Sequence, residues 1–211
     1  MIERLGIFGG TFDPIHFGHL FLAEEARIRF GLDRVLLIPN GRPPHKDGLA
    51  RASGNHRFEM TRLAAAGNPA FECSRVELER PGMSYTIDTL ALLREQNPSA
   101  DLLYITGVDT AAELMTWRRP GEVVQLARIV AATRPGYDAQ TLLRRLPDAI
   151  RERVSLLETT ALDISSTDIR QRVQHGEAVR YLTPDSVLEY IEGHGLYLPE
   201  AGSGEISGDK E

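Results

Sequence analysis

Residues 4–19 read Arg-Leu-Gly-Ile-Phe-Gly-Gly-Thr-Phe-Asp-Pro-Ile-His-Phe-Gly-His. Arg4 to Phe8 is a short apolar run ended by Gly9-Gly10, and from Leu20 to Phe30 apolar residues recur at helical spacing until Gly31 stops them. The stretch predicts a strand, a tight loop and a helix. Outward from it, short apolar runs at Val35–Ile38, Leu102–Ile105, Arg128–Ala132 and Val154–Leu157 are bounded by turn residues. Helical segments near 55–67, 85–96, 110–116 and 138–150 separate them, and Phe71–Leu78 alternates apolar and polar side chains as a further strand would. Two more helices are expected at 166–174 and 185–192, the second begun by Thr183-Pro184, with Pro where a missing N–H costs little. Strands alternating with helices imply an α/β fold, a mostly parallel sheet with helices on both faces.

The chain has 211 residues, 42% hydrophobic and 26% charged, which one α/β domain over 1–199 accommodates. Residues 200–211 are rich in Gly, Ser and acids, with little to bury, and are expected to form a disordered tail. No run of 18 or more apolar residues is present, and the N-terminus lacks the apolar stretch and cleavage site of a signal peptide, so a cytosolic, non-membrane protein is expected. The single cysteine, Cys73, sits in an apolar run and reads as a packed thiol rather than a nucleophile. A net charge of −6 argues against a nucleic-acid partner, whose backbone needs a basic face, but leaves small anions open. Lys46 and Lys210 are the only lysines, so Lys46 beside His45 reads either as a functional group or as compositional accident.

The densest chemistry lies in Gly9-Gly10-Thr11-Phe12-Asp13-Pro14-Ile15-His16-Phe17-Gly18-His19. In parallel sheets the junction after a strand is where ligands bind, glycines let the backbone approach a phosphate, and the helix N-terminus aims N–H groups at the same place. His16 and His19, three apart, can both face that anion site. Neither G-x-x-x-x-G-K-[ST] nor G-x-G-x-x-G occurs in the chain, which excludes the two familiar phosphate loops. Far downstream, Ile164-Ser165-Ser166-Thr167-Asp168-Ile169-Arg170 starts another helix after a strand. Ser165 with Asp168 fits an ordinary capping box, while Ser166, Thr167 and Arg170 add donors suited to a triphosphate. The segment from Pro39 to Gly54 lacks periodicity and reads as a long loop of the kind that forms lids.

Together these residues resemble the nicotinate-nucleotide adenylyltransferase family, within the wider His-x-Gly-His nucleotidyltransferases. Pro43-Pro44-His45-Lys46, Ser84-Tyr85-Thr86-Ile87-Asp88-Thr89-Leu90, Gly107-Val108-Asp109, Trp117 and Arg134-Pro135-Gly136 follow that family's order, and the likeness runs from Gly9 to about Ile191. The resemblance implies a Rossmann-like fold and transfer of the adenylyl group of ATP to nicotinate mononucleotide, giving deamido-NAD and pyrophosphate. It implies catalytic roles for His16, His19 and Arg170, and contacts to ATP from Gly9, Gly10, Thr11, Gly18, Asp109, Ile164, Ser165 and Ser166. Asp109 reads equally as a ribose contact or a plain helix N-cap. For the mononucleotide it implies His45, Lys46, Tyr85, Thr86, Trp117 and Arg134, with Trp117 either stacking on the pyridine ring or packing in the core. Mg²⁺ is implied as the partner of ATP, held by phosphate and water rather than by a protein metal cage. The remaining readings are a sister enzyme with another phosphate-bearing acceptor and a nucleotide-binding regulatory module without turnover. Whether the chain forms a homo-oligomer is not legible in the sequence.

Overall fold

Six strands line up in the order β3-β2-β1-β4-β5-β6, every neighbouring pair parallel. In chain order the elements are β1 (Arg4–Gly10), α1 (Phe17–Phe30), β2 (Arg34–Pro39), α2 (Gly54–Ala65), β3 (Phe71–Cys73), α3 (Val76–Glu79), α4 (Thr86–Gln96) and β4 (Asp101–Gly107). Then come α5 (Val108–Ala112), α6 (Pro120–Leu126), β5 (Arg128–Thr133), α7 (Ala139–Leu143), α8 (Asp148–Arg151), β6 (Val154–Glu158), α9 (Ser166–His175) and α10 (Asp185–Gly193). This computed structural model describes residues 2–42, 50–133, 138–160 and 162–199.

The strands read as continuous apolar runs because both of their faces are buried. Leu5, Ile7, Leu36, Ile38, Leu102 and Ile129 pack on one face against Leu90 and Leu93 of α4, Ala111 of α5 and Val123 of α6. Their neighbours Phe8, Val35, Leu37, Leu103, Ile105 and Val130 pack on the other against Ala23 and Ala26 of α1, Met60 of α2 and Ile191 of α10. Alternate side chains of each strand thus feed two separate cores. The doubly wound α/β fold expected from the sequence is what forms.

Four local expectations are corrected. Alternation over Phe71–Leu78 yields strand only at Phe71–Cys73; from Val76 the chain turns into α3, whose Glu77 is buried. The helix expected over 138–150 is two short helices, α7 and α8, with Pro147 as the N-cap of the second. Helix α6 falls where no helix is expected, with Pro120 at its first position. The predicted segment 110–116 divides into α5, starting two residues earlier, and a 3₁₀ turn at Leu114–Thr116.

β1 and β4 lie side by side at the sheet's centre, and the connections leaving them run in opposite directions, to β2 and to β5. The crevice beyond their carboxyl ends is where such a sheet accepts a ligand. Gly9-Gly10 ends β1 and Gly107 ends β4, so the loop singled out by the sequence opens into that crevice.

Candidate active site

His16 is the N-cap of α1 with an extended backbone, and its side chain makes no capping bond. Its carbonyl accepts from the N–H groups of His19 (3.0 Å) and Leu20 (3.2 Å), which fixes His19 on the first turn directly above it. The imidazoles stack, with centroids 3.7 Å apart and planes 24° apart. His16 is buried and its Nδ1 meets no hydrogen-bond partner among the described residues; burial pulls its pKa down to about 4, so the free protein holds it neutral at pH 7. The pair therefore presents N–H donors at a helix N-terminus rather than two fixed charges. A Cβ on Gly18 would stand 3.0 Å from His16 Nδ1, so this glycine gives the ring its room. Gly10 is equally constrained: a Cβ there would lie 2.6 Å from the ring of Phe12. Phe12 takes a left-handed backbone, φ 49°, and packs edge-on to Phe8 at 5.6 Å and to His19 at 5.0 Å. Packing thus holds a strained residue beneath the catalytic candidates.

The second predicted anion site, at the start of α9, does adjoin the first, but its side chains are engaged. Ser165 Oγ accepts from Asp168 N (3.0 Å), so the capping reading of Ser165 holds, while the Asp168 carboxylate pairs with Arg172 at 2.9 Å instead of completing a box. Ser166 Oγ donates to Pro14 O (2.8 Å), and Arg170 donates to Asp13 O (2.8 Å) and to Thr167 Oγ1 (3.2 Å). Ser166 and Arg170 therefore fasten the histidine loop to α9, and Arg170 keeps further N–H groups of its five for a ligand. Ile164 O lies 3.7 Å from where a Gly18 Cβ would be, so the starts of α1 and α9 converge.

Beside this junction a cavity of about 520 Å³ opens along the ends of β4, β5 and β6, walled by Gly18, Gly107, Asp109, Thr133 and Thr159. Its size suits a nucleoside. Gly107, not Asp109, is the N-cap of α5, which corrects the capping reading of Asp109: the carboxylate stands on the helix's first turn, in the cavity wall. A larger apolar groove of about 640 Å³, bordered by Leu20, Leu63 and Pro184, adjoins this cavity, sharing Phe21 and Leu162.

Tyr85 is the N-cap of α4 and gives no side-chain cap, so the first N–H groups of that helix have no intrahelical partner. Trp117 is half-buried and meets Tyr104 edge-on at 5.7 Å; it lies at the rim of the core, neither sealed in it nor fully exposed. Arg118 lies over the Tyr85 ring at 4.6 Å. His45, Lys46 and Arg134 lie outside the described residues, as does the tail from 200.

Five residues carry weight without having been singled out. The Tyr104 hydroxyl is hydrogen-bonded to Thr86 and lies 3.2 Å from where a Gly9 Cβ would be, joining the glycine turn to the start of α4; burial pushes its pKa up to about 12. Asp13, quoted in the motif without a role, accepts from Arg51 N (2.7 Å), Ala52 N (3.1 Å) and Tyr197 Oη (2.7 Å). Burial first, and then Asp13, hold the Tyr197 phenol well above its usual range, so it remains a donor. Arg57 and Thr183 bind loop carbonyls, Thr183 donating to Ile15 O at 2.8 Å. A mid-strand tyrosine (Tyr104), a helix-interior arginine (Arg57) and Tyr197 beyond the last helix have no local pattern that marks them. Cys73 is a half-buried thiol on Phe58 O, its pKa pushed up to about 12 by burial, and not a nucleophile.

Comparison with known proteins adds a family to this geometry. Residues 7–172 match the cytidylyltransferase-like family model. A protein of Moorella thermoacetica named "probable nicotinate-nucleotide adenylyltransferase" is 48% identical over 200 residues, covering 93% of this chain and 92% of its own. One of the same name from Roseiflexus sp. is 52% identical over 195 residues, covering 92% and 97%. Among solved structures, the nicotinic acid mononucleotide adenylyltransferase of Plasmodium falciparum complexed with NaAD superposes with a TM-score of 0.73 at 19% identity, over 92% of this chain and 97% of that one. At that identity the likeness is one of fold.

Proposed function

The chain belongs to the nicotinate-nucleotide adenylyltransferase family, and from that premise we propose how its crevice carries out the reaction. The enzyme transfers the adenylyl group of ATP to nicotinate mononucleotide, releasing pyrophosphate and forming nicotinate adenine dinucleotide in NAD biosynthesis. An oxygen of the mononucleotide phosphate attacks the α-phosphorus, the bond from that phosphorus to the bridging β-oxygen breaks, and the electron pair leaves with pyrophosphate. No enzyme-bound intermediate is needed, so positioning and charge stabilisation carry the rate.

The observation that carries this reading is the stacked His16–His19 pair on the α1 N-terminus, beside the start of α9, at the point where the sheet's connections diverge. His16 and His19 donate to the phosphate oxygens that gain charge as pyrophosphate departs. Gly9, Gly10, Thr11 and Gly18 let the triphosphate lie against the backbone, and Ser165, Ser166, Ile164 and the remaining donors of Arg170 meet its far end. The adenosine occupies the 520 Å³ cavity with its ribose toward Asp109. Trp117 stacks on the pyridine ring, the α4 N–H groups at Tyr85 and Thr86 receive the ring carboxylate, and His45, Lys46 and Arg134 balance the mononucleotide's charge. ATP enters as its Mg²⁺ complex. Among the described residues no group of three or more His, Cys, Asp or Glu could hold a metal ion; we place the cation on phosphate oxygens and water. Bound there, such a cation would supply neutralisation of the charge that builds on pyrophosphate. No helix among the described residues is long and apolar enough to cross a membrane. With one cysteine and ATP as substrate, we place the reaction in the cytosol.

Purified protein incubated with ATP, Mg²⁺ and, separately, nicotinate mononucleotide, nicotinamide mononucleotide and phosphopantetheine tests the reading through pyrophosphate release. Fastest release with the first acceptor supports it. Release only with phosphopantetheine, or with none, refutes it.

A further inference from the structure

Arg57 sits inside α2, 4% exposed, where an apolar side chain would avoid the cost of burying a guanidinium. Its three hydrogen bonds all go to backbone carbonyls: Nη1 to Thr11 O (2.8 Å), Nη2 to Asn40 O (2.8 Å) and Nε to Ala52 O (3.3 Å). The three carbonyls belong to different pieces of the site. Thr11 lies in the loop that leads to His16; Asn40 follows the last residue of β2; Ala52 precedes Ser53, the N-cap of α2. Asn40 and Ala52 are therefore the two stems of the segment that carries Pro43-Pro44-His45-Lys46. Asp13 braces the same junction from the other side, its carboxylate accepting from Arg51 N and Ala52 N, and Asn40 N donates to Gly10 O at 2.8 Å.

We infer that Arg57 is a positioning residue for adenylyl transfer, setting the register between the loop that holds ATP and the stem at residues 40–42. That stem pairs with Ser84 (Arg42 N to Ser84 Oγ 3.0 Å, Ser84 N to Arg42 O 2.8 Å) at the approach to α4, where the ring carboxylate is placed. The inference rests on the substrate placement proposed above. A planar guanidinium reaches three carbonyls in three fixed directions, which the single ammonium of lysine does not. On the proposed placement ATP lies on the first of these pieces and the mononucleotide ring at the start of α4, to which the second is tied through Ser84, so the approach of the attacking oxygen to the α-phosphorus depends on the brace. A misplacement of about 1 Å costs on the order of 10²-fold in rate without removing either binding site. A residue that only satisfied buried carbonyls would affect stability and leave the chemical step of the folded fraction alone.

The test uses Arg57→Lys and Arg57→Ala in the full chain, with circular dichroism and thermal melting to establish the folded fraction. Pyrophosphate release gives kcat, and binary titrations with a non-hydrolysable ATP analogue and with nicotinate mononucleotide give the two dissociation constants. We expect Arg57→Lys to lower kcat about 10- to 100-fold with both dissociation constants within about threefold of the wild type. In Arg57→Ala, added guanidinium ion should restore part of kcat while ammonium ion does not. Unchanged kcat in Arg57→Lys overturns the inference, as does a fall in kcat/KM carried entirely by weaker binary binding. If Arg57→Ala does not fold, the lysine variant alone decides. Wild-type protein that releases no pyrophosphate would instead overturn the proposed function, so the two failures are distinct.

Discussion

Acidification should unfasten the ligand-free protein through His16, whose imidazole has pKa about 4 when folded against 6.5 as an ordinary side chain, because burial opposes its charge. A depressed folded pKa means that the unfolded chain binds more protons between those two values, so stability is present above pH 6.5 and drains away as pH falls toward 4. Weighting the two protonation equilibria gives a loss, relative to pH 7, of about 2 kcal/mol by pH 5 and about 3 kcal/mol by pH 4. With a urea slope of about 2 kcal/mol per molar, the pH 5 figure moves the unfolding midpoint by roughly 1 M. Other groups titrate in the same window, so the measurement is a difference: urea unfolding of the wild type and of His16→Asn at pH 7, 6, 5 and 4.5, each without ligand. The variant carries a constant offset, and the gap between the curves should narrow by about 2 kcal/mol on going to pH 5. Curves that stay parallel across this range would show that His16 is not a buried neutral imidazole, and the donor role assigned to it would go with that.

His19→Ala removes a donor that strengthens as charge builds on pyrophosphate, so kcat should drop roughly 10²–10³-fold while the mononucleotide KM stays within a few fold; full kcat would sink the assignment. Trp117→Ala should act the other way, raising the mononucleotide KM by about 0.5–1.5 kcal/mol, or two- to tenfold, with kcat nearly kept, because stacking is alike in ground and transition states. Because Trp117 stands at the rim of the core, a melting curve must show the variant folded before its KM is read. Nicotinate mononucleotide should be preferred over the nicotinamide form by about tenfold to over a hundredfold in kcat/KM, since the amide sets an N–H₂ group against the N–H donors of α4 and leaves them unpaired at ~1–3 kcal/mol. Equal efficiency would refute recognition by those donors.

Strand β1, its loop and α1 were legible because a short apolar run, two glycines and a helical stripe stand in sequence with nothing to contradict them. The parallel sheet followed from apolar strand runs alternating with helical segments along the chain. Where tertiary packing decides, local pattern misled: Phe71–Leu78 alternates, yet after Cys73 the chain enters the short helix that buries Glu77. The histidine pair was legible as a pair, but not its stacking, nor the burial that keeps His16 neutral. Ser166 and Arg170 show the commonest gap. Their residue types fit an anion, and only the fold reveals that they also bind the carbonyls of Pro14 and Asp13, 152 and 157 residues away in the chain. Tyr104, Arg57 and Tyr197 matter through partners that no spacing rule connects.

The fastening of the Thr11–His16 loop also carries a consequence for the order in which this enzyme becomes competent. The loop leaves the ribosome well before the groups that hold it: Ser166, Arg170, Thr183 and finally Tyr197, whose hydroxyl reaches Asp13 across 184 residues. Contacts of such separation form only after the loop-closure entropy of most of the chain has been overcome. A nascent chain that has already made its glycine loop and both histidines is therefore still without a nucleotide site. On the placement of ATP proposed above, capacity to bind it arrives only once Tyr197 is in place, which makes ligand binding a report on completed synthesis of the described fold.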